Sequence, residues 1–255
     1  MPKLKTKVIP GSILWVRYSF APNRLKYCGP PANLTLFEYG FRRFSDKGLE
    51  QILAEFEAAY PYIQFIAQEN KIADPFDWRV VEAYWLGNEL LKKISLNKFY
   101  EHLKCRFRKR VKSEIFSRIA NNIPKGAKPF HAFHVLGIYQ EVGTTREIDL
   151  GPVLETMNNC LVGWGKVVGI QNDKLEVEYR PLMSGKNLFF GPASAKIVKY
   201  KFEGKSLIDE PQVGDWVSIH WNWACDILDE RQLKNLQKWT LWHLKIANLN
   251  YTPGV

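Results

Sequence analysis

Cysteine is scarce in this chain of 255 residues, which contains only four. They lie far apart, with no Cys-x-x-Cys pair, at Cys28, Cys105, Cys160 and Cys225. This spacing argues against a disulfide scaffold, a zinc ribbon and a thioredoxin-type redox motif. We therefore predict four free thiols whose reactivity is set by their surroundings.

Long apolar runs and the common catalytic motifs are also lacking. No run approaches the roughly 18 to 20 residues of a membrane span, and the start of the chain has no signal-peptide pattern, so a cytoplasmic location is predicted. The sequence has no G-x-x-x-x-G-K-[ST], G-x-G-x-x-G, H-E-x-x-H or G-x-S-x-G motif. An enzyme is therefore the less favoured interpretation.

Positive charge is abundant. Lys and Arg number 36 against 26 Asp and Glu, which gives a formal charge of +10 and a pI near 9.3. This excess permits nucleic acid, acidic lipid or an acidic protein as partner without choosing among them. The densest basic run includes Arg106, Lys109 and Arg110 on the polar side of a predicted helix. That run is either a solvated helix face or a docking surface for an acidic partner.

The first half of the sequence has a helical pattern. Polar residues at Asp46, Asp77 and Ser95 each precede apolar residues at three- and four-residue spacing, as at the start of an amphipathic helix. The third of these patterns predicts one long helix that extends across residues 99–119.

The second half has the pattern of short strands separated by turn-forming residues. Closely spaced strands of this kind favour a small β-barrel. Asp229, with Gln232 three residues later, makes a capping-box start to a C-terminal helix. We predict strands at residues 130–143, 167–170, 175–180, 195–202 and 217–223.

The predicted fold class is therefore α+β, with two domains. Residues 1–150 form a mainly helical domain with a terminal β segment. Residues 151–255 form a small OB-like β-barrel with a C-terminal helix. The boundary lies near residues 146–159, where a Gly-Pro pair is expected to interrupt regular structure.

Two stretches of the second half carry a family resemblance. "CLVGWGKVVGI" begins at Cys160, and "VGDWVSIHWNWACDILDE" contains His220. In order and spacing they resemble the HypC/HupF/HybG family of nickel-iron hydrogenase assembly chaperones, over roughly residues 157–247. There a cysteine precedes a Gly-Lys/Arg-Val strand, and a later Gly-Asp-Tyr/Trp-Val strand leads to a histidine. The matching positions are Cys160, Gly165, Lys166, Val167, Gly214, Asp215, Trp216, Val217, His220, Ala224, Asp229 and Glu230.

The resemblance implies an OB-type barrel and a cysteine that holds iron transiently. In the family, this cysteine carries an iron-cyano-carbonyl unit together with a HypD-like maturation scaffold protein, before delivery to the hydrogenase large subunit. The expected function is therefore that of an accessory or chaperone protein in hydrogenase maturation. In the family the cysteine follows the initiator Met, so that a free amine lies beside it, whereas Cys160 is internal. The stretches "SFAPNRLKYCGP" and "VEAYWLGNELL" make the whole chain look like a prokaryotic family that is sometimes encoded near hydrogenase genes.

Cys160 and His220 are the main candidate site residues. A thiolate suits low-spin iron or nickel, and a nearby histidine offers a nitrogen donor or a proton acceptor. We expect them at an accessible mouth of the barrel, with Lys166 or the basic helix lowering the thiol pKa. The alternatives are a buried apolar cysteine and a hydrogen-bonded core histidine.

Three further residues are secondary candidates for metal or thiol chemistry. Cys28 in "YCGPPANL" is expected on a loop. There it would be a second metal ligand, an exchange thiol or a structural turn residue. His131 and His134 in "HAFH" would point to opposite faces of a strand, so that one of them at most would serve a given ion.

Two other functions fit parts of the sequence. A nucleic-acid-binding OB-type barrel is the main alternative, because such barrels bind single strands by aromatic stacking and phosphate neutralisation. Against it, three tryptophans on one predicted strand cannot all be exposed, and the basic residues cluster on a helix. A thiol enzyme is the third possibility, although nothing in the sequence supplies an oxyanion site.

Overall fold

The structure is a computed structural model that describes residues 9–139, 141 and 150–249. Within these residues it confirms the α+β class: a helical first half, then strands, then a C-terminal helix. A 3-10 helix at Glu89–Lys93 joins two of the helices of the first half. Those helices are α1 (Gly11–Arg24), α2 (Asn33–Arg42), α3 (Lys47–Ala54), α4 (Tyr60–Glu69), α5 (Trp78–Trp85), α6 (Leu96–Phe107), α7 (Ser113–Ala120) and α8 (His131–Phe133).

Helix α1 lies at the centre of the molecule, and the sequence pattern did not reveal it. Thirteen of its 14 residues are buried, so apolar side chains surround its axis instead of forming one stripe. Its apolar side chains belong to a core cluster that also includes Trp223 and Leu228 from the second half and Leu236 of the C-terminal helix. The two halves therefore share this core.

Three helix starts agree with the sequence pattern. The side chains of Asp46, Asp77 and Ser95 each accept a hydrogen bond from a backbone N–H group in the first turn of their helices. The predicted long helix across residues 99–119 is wrong, because the chain breaks between α6 and α7. The break falls in the basic run, where repulsion between neighbouring cations disfavours a continuous helix.

The predicted strand at residues 130–143 is also wrong. Helix α8 continues as a π-helix over His134–Tyr139, and residues 140, 142 and 143 lie outside the described residues. Most of this helical segment is buried, and apolar periodicity does not distinguish a buried helix from a buried strand.

The next described helix is α9 (Leu150–Cys160), which leads into the sheet. The Gly-Pro pair expected to interrupt regular structure lies within this helix. Part of the predicted domain boundary, residues 146–149, lies outside the described residues.

Five strands form a closed barrel in the order β1-β2-β5-β9-β8, with β8 paired back to β1. If the five barrel strands alone are numbered 1 to 5 along the chain, their order around the barrel is 1-2-3-5-4. The third and fifth of them, β5 and β9, pair in parallel, as in an OB-type barrel. Gly165 of β1 faces Val177 and Ile219, and a Cβ at this position would lie 3.1 Å from both side chains. The strands are β1 (Gly163–Gln171), β2 (Lys174–Tyr179), β5 (Ser194–Lys199), β8 (Trp216–His220) and β9 (Trp223–Ile227).

Four shorter strands form two hairpins outside the barrel sheet. The predicted strand at residues 195–202 is divided between β5 and the first strand of the second hairpin. The hairpins pair β3 (Leu182–Ser184) with β4 (Leu188–Phe190), and β6 (Lys201–Phe202) with β7 (Lys205–Ser206).

The predicted strand at residues 217–223 is instead a hairpin of β8 and β9. Its two-residue turn is Trp221–Asn222, and both residues have a positive φ, 52° and 57°. Positive φ at both positions is the geometry of a type I′ turn, which Asn tolerates and Trp rarely adopts. Because Trp is rare at such a turn position, the sequence pattern did not indicate a turn here.

Helix α10 (Glu230–Asn248) follows the barrel, and its predicted capping box is confirmed. Asp229 accepts a hydrogen bond from the backbone N–H of Gln232, whose side chain accepts one from the backbone N–H of Asp229. In the described part of the chain, the helices are all too short or too polar to cross a membrane.

Candidate metal centre

Three donor side chains meet where the helical half contacts the barrel. His131 is the first residue of α8, Cys160 is the last residue of α9, and His220 is the last residue of β8. One ring nitrogen of each histidine and the Cys160 Sγ atom all lie within 4.8 Å of one another. Among the described residues, this is the one group of three His, Cys, Asp or Glu side chains that could hold a metal ion.

The orientation of His220 is fixed by helix α1. Its Nδ1 atom lies 2.7 Å from the backbone oxygen of Tyr18. A carbonyl oxygen can only accept a hydrogen bond, so Nδ1 carries the proton and Nε2 presents its lone pair. Nε2 is buried and makes no hydrogen bond of normal geometry among the described residues, although the backbone of Cys160 lies close enough to the ring to oppose the lowering of its pKa. This is the arrangement of a ligating histidine whose second nitrogen donates to a carbonyl.

His131 is enclosed by aromatic rings and is 5% exposed. Its ring centroid lies 4.7 Å from that of Trp85, 5.7 Å from that of Tyr84 and 5.0 Å from that of His220. Its Nδ1 atom is also buried without a hydrogen-bond partner in the described part of the chain. A buried polar atom without a partner is rare in folded proteins, and an absent ligand is one explanation.

His243 shows what a satisfied structural histidine looks like in the same protein. Its Nδ1 lies 2.7 Å from the Trp239 backbone oxygen, and its Nε2 accepts a hydrogen bond from the backbone N–H of Lys128 at 3.0 Å. Both ring nitrogens are therefore used. His102 and His134 also each have a buried ring nitrogen without a partner in the described part of the chain, so what distinguishes His131 and His220 is that both lie beside the Cys160 sulfur.

Cys160 is held beside His220 by the β8–β9 turn. The backbone N–H of Trp221 donates to the Asn159 oxygen at 2.8 Å, which ties the end of α9 to the turn. Burial raises the pKa of the Cys160 thiol to about 12, a nearby charge on Cys28 raises it further, and a hydrogen bond from the Trp221 side chain opposes the shift. The expected lowering of this pKa by Lys166 is wrong, because burial outweighs any cation here.

The sulfur of Cys160 is enclosed instead of standing at an open mouth of the barrel. Cys160 is half-buried, whereas Lys166 points to solvent on β1. The structure places Cys160 and His220 close together, which the sequence left open, and Cys160 is only partly exposed.

The loop between α1 and α2 covers this region. Tyr27 stacks on Trp221 with ring centroids 4.1 Å apart. Asn23 donates from Nδ2 to the backbone oxygens of Cys28 and Pro30, at 2.9 and 2.6 Å. Cys28 is half-buried, and burial raises the pKa of its thiol to about 11. The loop places Cys28 near the centre but outside the three-donor group.

His134 belongs to a neighbouring group. It is half-buried, and its ring lies 6.2 Å from the Tyr62 ring. Burial lowers its pKa to about 4, and the Arg106 charge lowers it further. The expectation that the two histidines of "HAFH" lie on opposite faces of a strand is wrong, because both are helical, but His134 is not among the three donors.

The basic run divides into a packed and an exposed part. Arg106 donates to the backbone oxygen of Glu57 at 2.7 Å, and its guanidinium lies 4.6 Å from the centre of the Tyr62 ring. Lys109 and Arg110 are exposed. Together with the exposed Arg108 and Lys112, these two residues are what the run offers to an acidic partner, whereas Arg106 is packed against Tyr62.

One thiol and two imidazoles form a donor set for transition metals. Such a set suits zinc with an open fourth position, copper in a trigonal site, or low-spin iron. Burial lowers the pKa of His220 to about 4 and that of His131 well below its usual value, so both are neutral donors near pH 7. The site can therefore take a metal ion by losing only the thiol proton.

Fold and site together define a class: an α+β protein with an OB-type barrel and a buried His-Cys-His centre between its two halves. The chain belongs to the family of unknown function DUF6390, whose sequence profile matches residues 7–253. No curated protein and no solved structure matches it.

Proposed function

We propose that this protein is an accessory protein of nickel-iron hydrogenase assembly. It holds an iron-cyano-carbonyl precursor, or the immature large subunit that receives it, through Cys160 and His220. The observation that carries the proposal is the proximity of these two side chains, with donor atoms within 4.8 Å. They come from a helix end and a strand end far apart in sequence, and they are the pair that the resemblance to assembly chaperones selects.

The enclosed thiol supports a reversible hold on such cargo. In the apolar surroundings of the centre, the neutral thiol is favoured as long as no cation is present. Iron replaces the thiol proton on binding, and the sulfur regains a proton when the iron leaves. The high pKa of Cys160, about 12, therefore favours release to a client with more acidic ligands.

Iron retention by the purified protein tests this function. The chain is expressed anaerobically with the hydrogenase maturation proteins, purified without air, and analysed for iron and for cyanide and carbonyl stretches in the infrared. We expect bound iron with these stretches in the wild type and their loss in Cys160→Ala. Cys105→Ala, which removes an exposed cysteine on α6, is the matched control and should behave as the wild type. A wild type without iron and without captured large subunit would contradict the proposal.

Nucleic-acid binding is the alternative with less support. Trp223 is 3% exposed, and Trp216 and Trp221 are half-buried, so these rings offer little surface on which bases could stack. Binding of a single-stranded oligonucleotide that weakens steeply with added salt would favour this alternative.

A further inference from the structure

We infer that His131, Cys160 and His220 form a complete three-donor set, which occupies one face of a six-coordinate iron. The chain then holds its cargo without a ligand from a partner protein. This inference rests on the proposed function for the identity of the cargo. The three-donor set itself rests only on the geometry.

Counting coordination positions gives the first argument. A low-spin iron has six positions, and two cyanides and one carbonyl fill three of them. If these three ligands are all adjacent to one another, the remaining three positions lie on one face of the octahedron. Three protein donors that are all neighbours of one another match that face, and the donors of His131, Cys160 and His220 meet this condition.

Distances give the second argument. Donors on one face of an octahedral ion with bonds of about 2.0 to 2.3 Å lie about 3 Å apart. The three donor atoms lie within 4.8 Å of one another, so a contraction of at most about 2 Å per pair is needed.

The buried nitrogens of the two histidines agree with this geometry, although His102 Nε2 and His134 Nδ1, which lie outside the group, are unpartnered as well. His131 Nδ1 and His220 Nε2 are both buried without hydrogen-bond partners in the described chain, although each ring is at least 95% buried. Burying a polar atom without a partner costs about 1 to 3 kcal/mol, and coordination of a metal removes that cost. The internal position of Cys160 fits this assignment, because His131 supplies a nitrogen donor beside the sulfur where the related chaperones have a terminal amine.

The donor set is tested first with Co²⁺ alone, on the full-length purified protein without air. We expect the wild type to bind one Co²⁺ with a thiolate-to-metal charge-transfer band. His131→Phe keeps an aromatic ring among Trp85 and Tyr84 but removes the donor, and it should weaken binding at least about 100-fold. Equal affinity and an unchanged spectrum in this variant would overturn the inference, as would a wild type that binds no Co²⁺.

X-ray absorption on the Co²⁺-loaded wild type makes the result independent of how the variant folds. The expected first coordination shell has two histidine nitrogens and one sulfur from the protein. A shell with one histidine only, or without sulfur, would remove the three-donor set.

The iron-bearing protein separates this inference from the proposed function. The wild type, purified free of partner proteins, should retain iron with two cyanide stretches and one carbonyl stretch, and His131→Phe should lose it. If the wild type binds Co²⁺ through all three donors but never carries the cyano-carbonyl iron, the proposed function fails and the site stands. If His131→Phe retains that iron with unshifted bands, His131 is not a ligand and the proposed function stands.

Discussion

At the scale of single residues, the protonation states of the three donors determine how the centre takes up metal. His131 and His220 are neutral well below neutral pH, because burial lowers the pKa of each ring. The Cys160 thiol keeps its proton until far above neutral pH, because burial raises its pKa to about 12. Metal uptake therefore displaces one proton, and that proton comes from sulfur.

This predicts the pH dependence of Co²⁺ binding. Between about pH 5 and about pH 7 the apparent affinity should rise about tenfold per pH unit, because one proton is released. Histidines with an ordinary pKa of about 6.5 would add their own protons and make the slope steeper at the acid end. Titrations at several pH values, read by the charge-transfer band, measure the slope. A slope well above one near pH 5 would show that the rings are charged before metal binds.

At the scale of secondary-structure elements, helix α1 attaches the helical half to the barrel. Arg17 donates to Asp226 of β9 at 2.5 Å, and both side chains are almost fully buried. The hydroxyl groups of Tyr18 and Ser218 lie 2.9 Å apart. These contacts surround the Tyr18 carbonyl that orients His220. The geometry of the proposed metal centre therefore depends on the docking of one helix.

Breaking the buried ion pair should destabilise the protein strongly. Asp226→Ala leaves the Arg17 guanidinium buried without its partner, which costs about 3 to 5 kcal/mol. Replacing both residues, as in Arg17→Met with Asp226→Leu, should recover most of this loss because no charge remains buried. Urea unfolding at neutral pH measures the free energies of unfolding.

The control for this comparison is an exposed pair. Arg43 donates to Asp209 at the surface, and Arg43→Ala should cost less than about 1 kcal/mol. If Asp226→Ala costs no more than Arg43→Ala, the buried pair does not hold α1 on the barrel.

At the scale of the whole molecule, the histidines make the fold sensitive to acid. The chain has five, and burial lowers the pKa of each of them; the shift is to about 4 for His102, His134, His220 and His243, and well below the usual value for His131. The unfolded chain takes up these protons near pH 6.5, and the folded chain does so only at lower pH. The stabilisation is present above about pH 6.5 and is lost as the pH falls through about 4.

Stability should therefore fall steeply over this range. Each histidine contributes up to about 1.4 kcal/mol per pH unit between the two pKa values. Urea unfolding midpoints measured from about pH 7 down to about pH 4.5 test this. Loading with Co²⁺ should raise the midpoint at each pH at which the metal binds, because the metal binds the folded state in preference to the unfolded chain. A midpoint that stays constant from about pH 6.5 to about pH 5 would contradict the assignment of buried neutral rings.

How much of the molecule the sequence predicts depends on where each side chain faces. The starts of the helices after Asp46, Asp77 and Ser95 were predictable, because a polar capping residue precedes apolar residues at three- and four-residue spacing in each. Helix α1 and the segment from His131 to Tyr139 were not, because burial on nearly all sides removes that periodicity.

The same limit applies to the candidate centre. Cys160 and His220 were paired by resemblance before any coordinates. His131 could not be assigned to the same group from the sequence, because its segment was interpreted as a strand. Its position beside Cys160 and His220 depends on how α8 packs against two elements that are distant in sequence.

The central position of α1 also has a consequence for synthesis on the ribosome. Arg17 leaves the ribosome 209 residues ahead of its partner Asp226. At about 5 to 20 residues per second, the side of this helix that packs on the barrel waits about 10 to 40 s before β9 emerges, although α2 and α5 emerge earlier and pack against other sides of it. During that interval the nascent chain exposes an aggregation-prone apolar surface. The yield of folded protein in cells should therefore depend on chaperones that bind hydrophobic segments of nascent chains.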